Sequence, residues 1–448
     1  MSSFFARMLL HGYRLTGAAV YPMLGPYLSV RAAKGKEERA RRSERYGRSK
    51  QVRPGGPLIW FHAASVGETV AIIPLIEEVV RRGIAVVVTT GTVTSANIAN
   101  ERLGEAVIHQ YVPLDLKPAV SNFLNHWGPD LVIISESEIW PMTILELGAR
   151  RIPQILVNGR ISDKSFATWS RSPKLADALF ENLSHVVAQT ELDATRFSSL
   201  GANPVTVSGN LKVDSDLPPV KDEDFSLYSH SLENRTSWAA ISTFDGEEEI
   251  VADAHKLVSK NNPDSILIIV PRHVERADAI EKMLNDKGLK VARKSKGEPV
   301  TKDIDVLLGD TTGEMGLYLR LVSIVFVGKS IKGEGGQNPI EPAMLETAIL
   351  TGPNVQNFRE AFRTLLQNNA ARIVKDTDTL AQCVEHLMSN EDARRGMIDA
   401  GLSTVQNMRG SLEKTIQDLE PYLTPLVIES SLERQKPIKQ LNGMKDGV

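Results

Sequence analysis

The stretch that decides the fold is WFHAASVGETV, residues 60–70. Apolar residues 57–61 are typical of a buried strand, small residues then interrupt the pattern, and apolar periodicity over residues 70–80 predicts a helix. Such a strand end leaves backbone N–H groups free at the carboxyl edge of a sheet, where open α/β folds bind ligands. Glu68 lies at that edge, although Ser65-x-x-Glu68 is also the pattern of a capping box, in which both side chains only satisfy backbone groups.

The composition indicates a soluble globular protein with room for two domains. The chain has 448 residues, of which 42% are apolar and 24% are charged, and its formal net charge is −3. This balance argues against nucleic acid as a partner, because it provides no overall positive charge. The single cysteine, Cys383, excludes an intramolecular disulfide and a cysteine-based metal site, and it is consistent with a reducing compartment.

Beyond residue 57, apolar runs alternate with helical patterns, which predicts two doubly wound, Rossmann-like α/β halves facing a central cleft. The strands predicted in the first half are 58–61, 85–89, 107–111, 131–134, 154–157 and 186–188. The strands predicted in the second half are 238–242, 265–270, 290–292, 306–308, 324–327, 348–350 and 372–374. The prolines within residues 208–238 indicate a linker, and a helical pattern over residues 390–419 is expected to end at Pro421.

The beginning of the chain predicts attachment to a membrane surface. Apolar residues recur at helical spacing over residues 4–15, but prolines break the apolar run over 15–30, which is too short to predict a spanning helix. Basic residues then outnumber acidic ones over 31–53, and such a cluster stays on the cytoplasmic side and attracts anionic lipid. The alternative is a solvated basic helix face that packs on the domain. Whether the segment spans the membrane or lies on it is left open.

The familiar nucleotide-binding strings do not occur in this sequence. No G-x-G-x-x-G follows the first strand of either half, and there is no Walker A string, so neither a nicotinamide enzyme nor a P-loop ATPase is supported. Instead, three helix starts at residues 243–249, 309–314 and 333–342 follow strands of one sheet and carry carboxylates. Each is also an ordinary helix start, where the helix dipole favours acids. Their convergence indicates a nucleotide site, with carboxylates on the ribose hydroxyls and glycine backbone close to phosphate.

Cations that could bind this phosphate are present. Arg272 and His273 directly follow the predicted strand 265–270, and Lys212 lies where the first half passes into the second. Each of these residues is equally consistent with an ordinary surface cation. Three further charged residues follow strands of the first half: Glu136, Glu138 and Arg160. They form either a structural ion-pair network or a site for a polar acceptor.

Seven strings of this sequence resemble those of the 3-deoxy-D-manno-oct-2-ulosonic acid (Kdo) transferases, which add Kdo to the lipid A precursor. In chain order they are HAASVGE (62–68), SESEIWP (135–141), NGRIS (158–162), SGNLKVD (208–214), VPRHVER (270–276), GDTTGEM (309–315) and GGQNPIEPA (335–343). Seven strings in the family's order are far more specific than any one of them. The resemblance implies a two-domain glycosyltransferase-B fold, CMP-Kdo as the donor, and a location on the cytoplasmic face of the cell inner membrane.

The same resemblance implies a division of the chain into functional parts. Residues 1–55 would be the membrane-associating segment and 56–212 an acceptor-binding domain. Residues 213–424 would be a nucleotide-sugar donor-binding domain, and 425–448 a tail. The implied partners are the lipid A precursor, CMP-Kdo and the inner-membrane surface, without nucleic acid.

The mechanism that the resemblance implies is inverting transfer without a metal or a cofactor, since CMP-Kdo is a substrate. Glu68 would be the general base that deprotonates the acceptor hydroxyl. The implied donor-binding residues are Lys212, Arg272, His273, Gly313, Glu314, Asn338 and Glu341. The implied acceptor-side residues are Ser65, Glu136, Glu138 and Arg160.

Two departures from the family fall on the donor side. Gln337 stands where the family usually has histidine in the string GGHN, and Phe244-Asp245 replace the histidine and glutamate of Ser-Thr-His-Glu-Gly-Glu. The detailed contacts to the donor phosphate are therefore left open. Two other functions fit this fold: a nucleotide-sugar isomerase or epimerase, and a lipid-binding relative without activity. The sequence determines neither the number of Kdo residues transferred nor the oligomeric state.

Overall fold

The computed structural model describes residues 21, 24–215, 217–233 and 235–435. The described residues separate into two compact units: unit 1 contains those up to Ser215 and from Gly410 onward, and unit 2 contains those between. Each unit is built on one seven-stranded sheet. All strand pairs in both sheets are parallel, which confirms the prediction of two parallel α/β domains.

The sheet of unit 1 has its topological switch point at the end of its first strand. Its strands are β1 (Leu58–Ala63), β2 (Ala85–Thr90), β3 (Ile108–Tyr111), β4 (Leu131–Ser135), β5 (Gln154–Gly159), β6 (His185–Ala188) and β7 (Val205–Val207). Their order in the sheet is β3-β2-β1-β4-β5-β6-β7. Because the chain runs from β1 to one edge and then returns to β4 on the other side, the carboxyl ends of β1 and β4 form the topological switch point. Open α/β sheets bind ligands at such points.

Helices cover both faces of this sheet. In the order of the chain they are α1 (Leu24–Ala33), α2 (Val66–Arg81), α3 (Val93–Leu103), α4 (Lys117–Trp127), α5 (Pro141–Ala149), α6 (Asp163–Ser170), α7 (Pro173–Phe180) and α8 (Glu191–Ser199). Every residue of β1 is buried, as a parallel strand covered on two sides requires. Leu75 and Val79 of α2 belong to one apolar cluster, and Phe123 and Trp127 of α4 to another.

Unit 2 repeats this architecture. Its strands are β8 (Ser237–Thr243), β9 (Ile266–Pro271), β10 (Val291–Arg293), β11 (Val306–Leu308), β12 (Ile324–Val327), β13 (Ala348–Thr351) and β14 (Ala371–Ile373), in the order β10-β11-β9-β8-β12-β13-β14. Its helices are α9 (Asp222–Ser231), α10 (Glu247–Asn261), α11 (Ala277–Asp286), α12 (Met315–Arg320), α13 (Ile340–Met344), α14 (Arg359–Gln367), α15 (Thr377–Ser389) and α16 (Glu391–Met408). The switch point of this sheet lies between β8 and β12.

The segment over residues 208–238 differs from the linker that was predicted. Residues Leu211–Val213 form a 3-10 turn, and Leu211 and Val213 are each only 1% exposed. Leu211 packs into an apolar cluster of unit 1, so the chain leaves that unit only after Ser215. Prolines in this segment indicate only where regular structure is interrupted. They carry no information about the buried apolar residues on either side.

The end of the described chain also differs from the prediction. Helix α17 (Ser411–Gln435) runs through Pro421 and Pro425, and it belongs to unit 1, although residues 213–424 were assigned to the donor domain and 425–448 to a tail. Its Leu419 and Leu423 are fully buried in a core cluster of unit 1. This packing offsets the backbone hydrogen bonds that the two prolines remove. Residues 436–448 of the predicted tail lie outside the described residues.

The basic segment near the beginning of the chain is in part a structural network. Arg45 is buried, pairs with Glu37 at 2.9 Å and donates to the carbonyl of Gly91 at 2.7 Å. Arg41 pairs with Glu44 at 2.8 Å and donates to the carbonyl of His109 at 3.0 Å. These two arginines fit the alternative interpretation, a basic segment that packs on the domain. The predicted amphipathic pattern over residues 4–15 lies outside the described residues, among which no helix is long and apolar enough to cross a membrane.

Candidate active site

Glu68 lies in the first turn of α2, directly after β1. The helix begins at the N-cap Ser65, whose Oγ accepts from the Glu68 backbone N–H at 3.4 Å and donates to Glu68 Oε1 at 2.7 Å. Glu68 Oε2 accepts from the backbone N–H of Ala64 at 2.8 Å. The Ser65 side chain therefore caps the helix, but Glu68 accepts from the N–H of Ala64 and not from that of Ser65, so the predicted capping box is only half formed. These contacts hold the Glu68 carboxylate in one orientation at the switch point of the sheet.

The surroundings of Glu68 favour its protonated form. Burial raises the pKa of Glu68, and the negative charge of Glu138 and then that of Glu136 raise it further, against hydrogen bonds from Ser65 and Ala64 that lower it. The net direction is upward from the ordinary value of about 4.5. A carboxylate with a raised pKa holds a proton more firmly, which suits a general base.

The pKa of Glu138 is shifted in the opposite direction. Burial by itself would raise the pKa of Glu138, but its polar contacts with His62 and Trp140 outweigh this, and the pKa of Glu138 is lowered. Trp140 Nε1 donates to Glu138 Oε2 at 2.5 Å, and His62 Nε2 lies 3.8 Å from the same oxygen, beyond hydrogen-bond distance. The site therefore holds two carboxylates whose pKa values are pushed apart, a pattern typical of acid–base centres.

A lysine from a distant part of the sequence completes this cluster. Lys212 Nζ lies 2.5 Å from Glu136 Oε1, and both side chains are largely buried. A Cβ placed on Gly67 would lie 3.9 Å from Lys212 Nζ, so the ammonium is beside the first turn of α2. Lys212 was predicted as a donor-binding residue at the end of the first domain, and the structure pairs it with Glu136, a residue that was predicted on the acceptor side.

Two residues in the left-handed backbone region shape the cluster. Glu136 has φ 54° and Asn158 has φ 53°. Asn158 Nδ2 donates to Glu136 Oε1 at 3.4 Å, and its Oδ1 accepts from the backbone N–H of Leu211 at 3.1 Å, which places the turn that carries Lys212. The predicted residue Arg160 is joined to this group through its backbone, since its N–H donates to the Glu136 carbonyl at 3.4 Å.

In unit 2, the predicted cations lie at the carboxyl edge of the sheet. Arg272 and His273 follow β9 and are both exposed, and the Arg272 backbone N–H donates to the carbonyl of Thr243 at 3.1 Å. The His273 ring meets the Phe244 ring edge-on, with 5.3 Å between the centroids. His273 Nδ1 lies 3.8 Å from Glu275 Oε1.

The predicted nucleotide-binding acids follow two strands of the unit 2 sheet, β11 and β12. Glu314, after β11, accepts from Thr311 Oγ1, and Lys294 Nζ lies 3.5 Å from its Oε1. The preceding Gly313 has φ 88°, which glycine adopts readily.

Asn338 and Glu341 form a local pair after β12. Asn338 Oδ1 accepts from the Ile340 backbone N–H at 3.1 Å, and its Nδ2 donates to Glu341 Oε1 at 3.2 Å. These contacts describe a helix start. Glu314 follows β11, Arg272 follows β9, and this pair follows β12. The strands β11, β9, β8 and β12 are consecutive in one parallel sheet, so their carboxyl ends lie at one edge of unit 2.

Glu247 lies in one of the predicted helix starts, but its contacts with the neighbouring loop were not predicted. Its side chain is fully buried, and its carboxylate accepts from four backbone N–H groups: Phe244 at 3.0 Å, Lys329 at 2.6 Å, Ser330 at 2.8 Å and Ile331 at 2.9 Å. It therefore ties the loop after β12 to the loop after β8. No sequence signal distinguishes it from the exposed Glu249 in the same turn.

Four further residues were likewise not predicted as site residues: His62, Asn158, Lys294 and Lys329. The rule that pointed to Arg272, a charged residue just after a predicted strand, also applies to Lys329 and would have found it. Among the described residues there is no group of three or more His, Cys, Asp or Glu side chains that could hold a metal ion.

Comparison with known proteins identifies the family of this chain. The family model described as 3-deoxy-D-manno-octulosonic-acid transferase (kdotransferase) matches residues 40–215. The 3-deoxy-D-manno-octulosonic acid transferase of Haemophilus influenzae is 32% identical over 405 residues, with 88% of this chain and 94% of the relative covered. The protein of the same name from Rickettsia bellii is 34% identical, with 92% and 99% covered.

Solved structures show the same fold. A glycosyltransferase from Rickettsia africae matches with a TM-score of 0.57 at 13% identity, covering 83% of this chain and 99% of that protein. At this identity the match supports the fold alone. The sequence relatives go further, because their identity extends through both units and covers nearly their whole length. The chain belongs to the 3-deoxy-D-manno-octulosonic acid transferase family of glycosyltransferases.

Proposed function

We propose that this protein transfers Kdo from CMP-Kdo to a sugar hydroxyl of the lipid A precursor, in lipopolysaccharide biosynthesis. The reaction inverts the anomeric centre, requires no metal, and uses Glu68 as the general base. The observation that carries this proposal is the position of Glu68. In a chain of this family, a carboxylate with a raised pKa is fixed at the switch point of the unit 1 sheet.

The chemical step follows from the properties of this carboxylate. Glu68 takes the proton of the acceptor hydroxyl as that oxygen attacks the anomeric carbon of Kdo, and the bond from this carbon to the phosphate oxygen of CMP breaks. CMP leaves with the bonding electron pair. Burial and the charges of Glu138 and Glu136 make Glu68 a stronger base than an ordinary glutamate.

The proposal assigns the acceptor to unit 1 and the nucleotide to unit 2. On unit 1, the ion pair of Lys212 with Glu136 neutralises one of the acids beside Glu68 and presents polar groups to a sugar. On unit 2, the exposed Arg272 and His273 offset the charge that develops on the departing phosphate. Gly313, Glu314, Asn338 and Glu341 hold the nucleotide at the same sheet edge.

A lipid acceptor makes attachment to the cytoplasmic face of the inner membrane part of this proposal. Helix α1 supports it, because Tyr27 and Val30 are 54% and 57% exposed and Arg31 lies in the last turn. The exposed apolar side chains on this short helix suit a lipid surface, whereas Arg31 is partly buried and pairs with Glu37 at 2.9 Å.

The proposal is tested by a transfer assay with detergent-solubilised full-length protein, a tetra-acylated lipid A precursor and CMP-Kdo generated in situ. Mass spectrometry should show increments of one or more Kdo units with the wild type and with Glu77→Ala, an exposed acid on the same helix. Glu68→Ala should show none within the same time. Added EDTA should leave the rate unchanged, and NMR of the product should show the inverted anomer. A folded wild type that neither binds nor uses CMP-Kdo would refute the proposal.

A further inference from the structure

A lysine without an assigned role lies at the same edge of unit 2 as Arg272 and His273. Lys329 follows β12 by two residues, just as His273 follows β9 by two residues and Phe244 follows β8 by one. The strands β9, β8 and β12 are neighbours in one parallel sheet. The residues after these strands therefore lie side by side.

Phe244 links the two outer residues of this group. The Lys329 ammonium lies 4.9 Å from the centroid of the Phe244 ring, and His273 meets the same ring edge-on at 5.3 Å. An aromatic ring attracts an ammonium to its face but does not neutralise its charge. In the part of the chain that the structure describes, no carboxylate lies within ion-pair distance of Lys329, so its positive charge is available to an anion.

The backbone on both sides of this contact is held by one buried acid. The Glu247 carboxylate accepts from the backbone N–H groups of Lys329 and Phe244, as well as from the two residues after Lys329. Lys329 itself has φ 58°, a conformation that a lysine adopts at some cost and keeps only where its surroundings impose it. The backbone segments that carry the lysine and the ring are thus tied together by Glu247.

We propose that Lys329 binds the phosphate of the nucleotide-sugar donor, next to Arg272 and His273. This inference rests on the proposed function, which assigns the donor to this edge. The ammonium is a compact point charge on a preorganised backbone, and the phosphodiester anion of the donor, placed between Lys329 and the two residues after β9, would meet polar and charged groups from both sides. Phe244 and Gln337 cannot supply that charge. Lys329 supplies a positive charge from the loop after β12.

The experiment compares the affinities of CMP and cytidine for the full-length protein by isothermal titration calorimetry, because their ratio isolates the contribution of the phosphate. Lys329→Gln should weaken CMP binding by about 10- to 100-fold, the loss expected for one charge-assisted hydrogen bond, and leave cytidine binding unchanged. Lys332→Gln, an exposed lysine in the same loop, is the matched control and should behave as the wild type. Lys329→Arg keeps the charge, so its CMP affinity should stay within a few-fold of the wild-type value.

Four results would overturn the inference. An unchanged ratio of CMP to cytidine affinity in Lys329→Gln would show that the lysine does not contact the phosphate. Equal losses in Lys329→Gln and Lys329→Arg, or an equal loss of cytidine affinity, would show a structural role. A wild type that binds no CMP would overturn both this inference and the proposed donor. By contrast, a wild type that binds CMP through Lys329 but transfers no Kdo would leave the inference standing and refute the proposed reaction.

Discussion

Glu68→Gln separates the observed role of this residue at the helix N-terminus from its proposed role as the general base. The amide has almost the same shape as the carboxylate. Its oxygen can accept from the Ala64 N–H, which now lies 2.8 Å from Oε2, and its NH2 group can donate to Ser65 Oγ, which now lies 2.7 Å from Oε1. The cap therefore survives the substitution in outline, while the ability to take a proton at neutral pH is lost.

The expected effect on stability is small because two contributions oppose each other. Converting two charge-assisted hydrogen bonds into neutral ones costs about 1 kcal/mol each. In the other direction, the raised pKa means that ionised Glu68 lowers native stability as the pH rises through its folded-state value, and a neutral glutamine removes this loss at neutral pH. We expect the unfolding free energy to stay within about 1 kcal/mol of the wild-type value and Tm to shift by no more than about 4 °C.

The expected effect on catalysis is large. Loss of a positioned general base lowers kcat by about 10²- to 10⁴-fold, or roughly 3–5 kcal/mol of transition-state stabilisation. The assay measures kcat at saturating donor and acceptor, with Glu77→Gln as the control. If Glu68→Gln kept kcat within threefold of the wild type while Tm fell by several degrees, Glu68 would be a cap only, and the proposed mechanism would fail.

Three further perturbations test other parts of this account. Glu138→Gln removes the neighbouring charge that most raises the Glu68 pKa, so the acidic limb of the kcat/KM–pH profile should move to lower pH; a limb that stays in place would contradict the coupling. Glu247→Gln replaces one of two oxygens that each accept two backbone N–H groups, which should cost about 3–6 kcal/mol and lower the Tm of unit 2 by at least about 6 °C. The exposed Glu249→Gln, in the same turn, should show no comparable loss. Leu423→Ala, in the core of unit 1, should lower its unfolding free energy by about 2–5 kcal/mol, and a loss below about 1 kcal/mol would mean that α17 does not anchor this unit.

Most of the fold could be predicted because parallel strands covered on both faces appear as uninterrupted apolar runs. All strands predicted over residues 58–374 are present, with bounds that differ by at most two residues. The strand that was missed, β7 at Val205–Val207, is only three residues long and partly exposed, so it has no apolar run to detect. The continuation of helix α17 beyond Pro421 was missed for another reason, since the helical pattern predicted over residues 390–419 covers only its beginning. Pro421 normally ends a helix, and only the burial of Leu423 in unit 1, which sequence periodicity does not report, keeps the helix going.

The contacts within the candidate site could be predicted less completely than the fold. The contact between residues of one short string, such as Ser65 and Glu68, could be predicted from their spacing alone. The pairing of Glu136 with Lys212 depends on two residues in the left-handed region and on a turn that begins 75 residues later, at Leu211. A left-handed glutamate and a contact over 75 residues have no sequence signature, so this pairing could not be predicted.

The helix cap and the proposed general base depend on the same contacts of Glu68. The N-terminal turn of a helix stabilises a negative charge, and hydrogen bonds from Ala64 and Ser65 hold the Glu68 carboxylate still. Taken alone, these contacts would make Glu68 a weak base with a low pKa. Burial and the charges of Glu138 and Glu136 act in the opposite direction and prevail. The cap thus supplies the position, and the neighbouring acids supply the basicity. The Lys212 ion pair limits how much of the Glu136 charge reaches Glu68, so a loss of that lysine should raise the Glu68 pKa further rather than lower it.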